Sequence, residues 1–321
     1  MPTVLMTAPY MIPFLDRFQP VLAHYGVDLI VPQVEERMEE ADLMKYAGQF
    51  DGAICGDDRY TRKVQEASLP RLKVISKWGT GIDSLDQVAA RELGIQIKNT
   101  LNAFTLPVSD TVMGYMLAFA RRLSWMNDAM KGGEWQKIPG KSLSECTVGV
   151  IGVGNIGKAV LRRASAFGMR LLGNDIQPIA PEFLAEFRIQ MLPLAEMLPQ
   201  CDFVSVNCDL NPSSQHIINK ETLAMMKKDA VVINTARGPL VKEVDLIDAL
   251  QRKIIAGAAL DVFEIEPLPN DSPLMKMDQV MIAPHNSNSS PAAWERVHWN
   301  TIRNLLQGLN IPCDDLDQFI G

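Results

Sequence analysis

Residues 147–160 read TVGVIGVGNIGKAV. An apolar run ends at Ile151, Gly152, Gly154 and Gly157 spell G-x-G-x-x-G, and Leu161 and Ala164 continue a stretch with helical spacing. A second apolar run, MRLLGN at 169–174, follows and leads into Asp175. Strand, glycine turn, helix, strand and acid in that order are the signature of a dinucleotide-binding βαβ unit. The glycines let the backbone turn tightly and approach a pyrophosphate. The helix starting near Asn155 offers that anion free N–H groups and the positive end of its dipole. Asp175 is placed to accept hydrogen bonds from a ribose and to repel a 2′-phosphate, and Ile176, Gln177 and Pro178 supply no arginine to receive one. NAD, in its reduced form NADH, is therefore expected over NADP.

Outward from this turn the same alternation continues. FVSVN (203–207), AVVIN (230–234), IIAGAALDV (254–262) and VMIAP (280–284) read as further strands, each after a helix-compatible segment. Upstream, TVLMT, VDLIVP, GAICG, LKVIS and IQIKN form an earlier series, with amphipathic stretches such as FQPVLAHY between most of them. The fold class is α/β with two doubly wound domains. Residues 101–123 predict a long apolar helix linking the two series, and the polar SWMNDAMKGGEWQKIPG after it predicts an exposed arm. Past His285, PAAWERVHWNTIRNLLQGL has helical spacing and is expected to return to the first domain.

Composition excludes several classes of function. The 321 residues are 47% hydrophobic and 21% charged, so two well-filled cores are expected. A formal net charge of -7 without a basic block argues against a nucleic-acid partner. The longest apolar stretch, near Val112–Ala120, is too short to span a bilayer, so no membrane partner is expected. The N-terminal MPTVLMTAPYMIPF lacks a secretory n-region. Five cysteines without a C-x-x-C pair fit a reducing cytoplasm, and nothing suggests a metal site.

Three residues at or just past later strands carry chemistry: Arg237 after AVVIN, Glu266 in DVFEIEP and His285 after MIAP. Ligands of parallel α/β sheets gather at the carboxyl ends of strands. Reducing a carbonyl requires a proton for the nascent alkoxide, and histidine delivers one near neutral pH. A nearby carboxylate favours the imidazolium, which suits Glu266. A guanidinium grips a carboxylate in bidentate fashion, which suits Arg237 to a 2-oxo acid.

With these residues in place, the chain resembles the D-isomer-specific 2-hydroxyacid dehydrogenases, the family of phosphoglycerate dehydrogenase, glyoxylate/hydroxypyruvate reductase and D-lactate dehydrogenase. SKWGTGIDSLD, TVGVIGVGNIG, NTARGPLV, AGAALDVFEIEP and APHNSNSS carry the resemblance over nearly the whole chain. It implies a Rossmann NAD-binding domain inserted into a flavodoxin-like substrate domain, with residues 1–100 and 287–321 in the latter and 101–286 in the former. It implies a catalytic trio of Arg237, Glu266 and His285. Asn155 and Ile156 are implied at the pyrophosphate, Asn207 and Cys208 on the adenosine side, and Thr235 and Asp261 near the nicotinamide. Amides at Thr80 and Gly81 are implied to help bind the substrate carboxylate from the other domain. A homodimer formed through the linking helix and arm, about 101–145, is also implied.

The chain departs from the family pattern in two places. PHNSNSS stands where many members have P-H-I-G-G, and Val108–Asp110 (VSD) where many have V-A-E. Lys77 occupies a position where phosphoglycerate enzymes often carry arginine, so it either meets a second anionic group or points to solvent. Trp78, His298 and Trp299 either line a pocket or pack a core. An NAD-sensing corepressor of the same fold and a formate-type dehydrogenase are the alternative functions. The trio argues against the first, and Glu266 against the second, whose members pair the histidine with glutamine.

Overall fold

Short aliphatic runs bounded by Gly, Asp and Asn become parallel strands, and the helices between them cover both faces of two sheets. In this computed structural model residues 1–320 are described, and the chain forms two units, Met1–Phe104 with the segment from Ser290 onward, and Thr105–Ser289.

The first unit contains β1 (Thr3–Met6), β2 (Asp28–Ile30), β3 (Gly52–Cys55), β4 (Val74–Lys77) and β5 (Gln96–Lys98). They lie in the order β2-β1-β3-β4-β5, every pair parallel. This is the flavodoxin-like order. β3 and β4 are buried at every residue, as expected of central strands covered on both faces. Helix Pro291–Gly308 starts at Ser290, whose hydroxyl accepts from Ala293 N–H at 3.4 Å, with proline pre-setting the first turn. It packs on β3, β4 and β5 through Ile302, Leu305 and Leu306, which are fully buried. Trp78, His298 and Trp299 are each 3% exposed and belong to this core. Trp78 Nε1 donates to His298 Nδ1 at 3.0 Å.

The second unit contains β6 (Thr147–Ile151), β7 (Arg170–Asn174), β8 (Gln190–Met191), β9 (Phe203–Val206), β10 (Val231–Asn234), β11 (Gly257–Leu260) and β12 (Val280–Ile282). Their order is β12-β11-β10-β9-β6-β7-β8, all parallel. This is the Rossmann order extended by one strand, and its topological switch point falls between β6 and β9. One face packs on helices Thr105–Arg121 and Asn155–Ala166 through Val112, Met116, Val160 and Leu161; the other is filled by Val204, Val232, Leu246 and Leu260. No helix among the described residues is long and apolar enough to cross a membrane.

Two features differ from the sequence expectation. β8 is a two-residue edge strand, too short for any periodicity to reveal. The arm is not wholly irregular, because Arg122 turns at φ 55° and a second helix runs from Leu123 to Lys131 before Gly132 and Gly133 end it. Trp125 anchors that helix, its ring 5.2 Å from Phe119 and its Nε1 donating to Asp278 O at 3.1 Å.

Candidate active site

The glycine turn is built by close approach. Gly152 has φ 88°, and a Cβ there would lie 2.5 Å from Cys208 N. A Cβ on Gly157 would run into Gly152 O, whereas one on Gly154 would meet nothing within 4 Å. Thus two glycines are demanded by the protein's own backbone, and the third leaves open space. The amides of Asn155, Ile156 and Gly157 precede the first intrahelical bond, Lys158 N–H to Gly154 O at 2.9 Å, as in anion-binding helix starts. Asp175, half-buried after β7, accepts from Val153 N–H at 2.6 Å and from Gln177 N–H at 2.7 Å. The acid therefore also braces the turn.

Asn207, past β9, donates through Nδ2 to Ser205 O and Oγ, and its buried Oδ1 has no hydrogen-bond partner among the described residues. Cys208 follows it, its thiol pushed up to about 11 by burial. Thr235 Oγ1, past β10, is likewise buried without a partner among the described residues. An unpaired buried oxygen costs about 1–3 kcal/mol unless a ligand or water satisfies it. Two such atoms and the open space over Gly154, all at carboxyl ends of strands, fit a dinucleotide.

Arg237 follows two residues later. Asn234, fully buried at the end of β10, donates to Arg237 O at 2.8 Å and accepts from Ala236 N–H at 3.1 Å, forcing the chain to turn there. The arginine donates through Nη1 to Ala236 O at 2.9 Å. Past β11, Glu266 accepts from Phe263 N–H at 2.9 Å with Oε1. Its Oε2 lies 3.1 Å from His285 Nδ1, and both side chains keep about a quarter of their surface exposed, 24% and 22%. His285 has φ 50°, a left-handed conformation costing on the order of 1–3 kcal/mol in a residue with a Cβ. Asp261 holds it there: its backbone O accepts from His285 N–H at 2.8 Å, and its carboxylate takes the N–H groups of Asn286 and Ser287 at 2.7 and 2.8 Å. Burial pushes the Asp261 carboxyl up, opposed by these donors and by the charge of His285. The structure thus uses Asp261 as a clamp on the His285 loop, and Asn234 as a brace for Arg237 that sequence reasoning missed. An asparagine at a strand end before two small residues was the available signal.

Lys77, Thr80 and Gly81 belong to the first unit. Lys77 is only 4% exposed, which overturns the solvent-facing alternative. Its ammonium donates to Trp78 O at 2.9 Å and pairs with Asp57 Oδ1 at 3.1 Å. Thr80 is exposed, with its hydroxyl donating to Thr100 O at 2.8 Å and its carbonyl accepting from Asn99 Nδ2 at 2.5 Å.

Comparison with known proteins places this architecture. The chain is 38% identical to D-3-phosphoglycerate dehydrogenase of Methanocaldococcus jannaschii over 80% of its length, spanning about half (48%) of that longer relative. It is 35% identical to hydroxypyruvate reductase of Thermotoga maritima over 86% of this chain and 90% of the other. Among solved structures, D-lactate dehydrogenase from Aquifex aeolicus, complexed with NAD and lactic acid, superposes with a TM-score of 0.86 at 25% identity, covering 98% of this chain and 97% of that one. Residues 113–287 match the family described as D-isomer specific 2-hydroxyacid dehydrogenase, NAD binding domain. The chain belongs to the D-isomer specific 2-hydroxyacid dehydrogenases, a family of NAD-dependent oxidoreductases.

Proposed function

We propose that the protein interconverts a 2-oxo acid and its D-2-hydroxy acid with NAD(H), using Arg237, Glu266 and His285. The observation that carries this reading is the 3.1 Å contact of His285 Nδ1 with Glu266 Oε2 at the carboxyl ends of strands, beside a loop bearing a guanidinium. When bound, NADH supplies the hydride to the carbonyl carbon. Glu266 accepts a hydrogen bond from Nδ1–H of His285 and so favours the doubly protonated ring, which gives its other proton, on Nε2, to the carbonyl oxygen as negative charge develops there. The second oxygen of Glu266 is tied to Phe263 N–H, which keeps the carboxylate from rotating away. Arg237 binds the substrate carboxylate and steadies charge on the carbonyl oxygen. In the oxidative direction Nε2 takes the hydroxyl proton back.

Gly152, Gly154, Asn155, Ile156 and Gly157 would hold the pyrophosphate, and Asn207, Cys208 and Thr235 would line the rest of the cofactor. Asp175 favours NAD over NADP because a carboxylate after the second strand of such a unit would repel a 2′-phosphate on the ribose. Lys77 is already paired with Asp57, which favours an unphosphorylated 2-oxo acid such as glyoxylate, hydroxypyruvate or pyruvate. The arm leaves Trp135 88% and Met130 50% exposed, consistent with a homodimer formed through it.

Loss of NADH absorbance across a panel of 2-oxo acids, phosphorylated and not, repeated with NADPH, tests the reading. Turnover with at least one unphosphorylated 2-oxo acid and preference for NADH is expected. Absence of turnover across the panel overturns the activity.

A further inference from the structure

Near the candidate trio lies a polar cluster that the mechanism above does not use. Glu264 stands two residues before Glu266 on the loop leaving β11, and Glu243 opens helix Glu243–Gln251 shortly after Arg237. The two glutamates cap each other's backbone: Glu264 N–H donates to Glu243 Oε1, and Glu243 N–H donates to Glu264 Oε2 at 3.3 Å. Glu264 Oε1 also meets His216 Nε2 at 2.7 Å. His216 is fixed to the Arg237 side, because its N–H bonds Pro239 O at 2.8 Å, and Ile218 exchanges bonds with Leu240 O and Lys242 N–H at 3.1 and 2.8 Å. Its backbone turns at φ 54°, a costly conformation for a residue with a Cβ.

We propose that His216, Glu264 and Glu243 form a clasp that sets the distance between the Arg237 loop and the Glu266 loop and so positions both side chains for the reaction. The inference rests on the function proposed above. Between the two loops there is no spacer: a Cβ on Gly238 would run into Phe263 O, so any shift of one backbone is passed to the other. Electrostatics favours a geometric role over a stabilising one. Burial, with the charges of Glu264 and Glu266 added, pushes the Glu243 carboxyl up, so these acids repel one another unless the two amides and His216 hold them. A helix N-terminus alone would be capped as well by one serine or aspartate and would not need a histidine from a third segment.

The test uses the full chain with Glu264→Ala, Glu264→Gln, His216→Ala and the double alanine variant. Glu264→Ala is expected to lower kcat/KM for the 2-oxo acid about tenfold or more, while NADH affinity stays within about twofold, as a small misplacement of reacting groups requires. Glu264→Gln keeps one acceptor oxygen and is expected to recover most of that loss. In the Glu264→Ala background, His216→Ala should add less than about twofold, because partners in one interaction are non-additive. Amide exchange over 236–243 and 263–266 should quicken in Glu264→Ala. A kcat/KM within about twofold of the unaltered protein, or fully additive losses, overturns the clasp. Exchange reads it without any substrate: unchanged protection of the amides at positions 243 and 264 overturns it even where the unaltered protein turns over no 2-oxo acid, an outcome that would instead sink the proposed activity.

Discussion

At the scale of single residues, the proposed proton transfer depends on one contact, Glu266 Oε2 to His285 Nδ1 at 3.1 Å. Replacing His285 with alanine removes the proposed acid, and kcat for reduction is expected to fall by about 10²–10⁴, the usual worth of general acid catalysis. NADH affinity, measured by fluorescence titration, should barely change, since the cofactor's proposed ligands lie on other strands. Glu266→Gln keeps the shape and removes the charge, so it should lower kcat by less than the histidine change. The two glutamate oxygens and the two of Asp261 are each committed to named donors, and none of these pairings is readable from spacing. DVFEIEP shows only that acids cluster after a strand. Which acid meets the imidazole is decided by a loop that doubles back so that Phe263 N–H caps Glu266.

At the scale of elements, the glycine turn separates what the fold needs from what a ligand needs. Gly157→Ala drives a methyl into Gly152 O, so lower thermal stability is expected together with lost cofactor binding. Gly154→Ala meets only open space. It should leave Tm within about 2 °C, because surface changes away from packed contacts usually stay within about 0.5 kcal/mol. It should nevertheless weaken NADH binding about tenfold or more if the pyrophosphate lies against that backbone, as in other glycine-turn sites. Thermal scans and NADH titrations on the two variants check this, and equal NADH affinity of Gly154→Ala and the unaltered protein would contradict the cofactor placement. The strand-turn-helix pattern was legible because period-two and period-3.6 spacings are local properties. β8 and the Leu123–Lys131 helix were not, the first for want of length and the second because Trp125 holds a polar segment helical by packing against Phe119.

For the molecule as a whole, the two units hide different charges. His298, on the buried face of helix Pro291–Gly308 and accepting from Trp78, has its pKa lowered to about 4 by burial, with Arg17 acting in the same direction and Glu295 opposing. The unfolded chain, where histidine titrates near 6.5, then binds the proton more readily. Stability of the first unit is therefore full above about pH 6.5 and lost as pH falls toward about 4, by roughly 3 kcal/mol at most. His298→Phe should flatten that dependence while costing about 1–3 kcal/mol at pH 7, since the Trp78 N–H is left without an acceptor. Urea unfolding at pH 7 and pH 4.5 compares the two proteins, and equal pH dependence would refute the role of this histidine. The sequence by itself determined the α/β class, the succession of strands, the glycine turn and the residue types able to move a proton and bind an anion, because these depend on neighbours a few positions apart. Only the tertiary structure decided the order of strands in each sheet, the burial of Lys77 on Asp57, the clamp of Asp261 on the His285 loop and the meeting of His216 with Glu264. Those contacts join residues that no local period relates, and they follow from which loops the parallel sheets bring side by side.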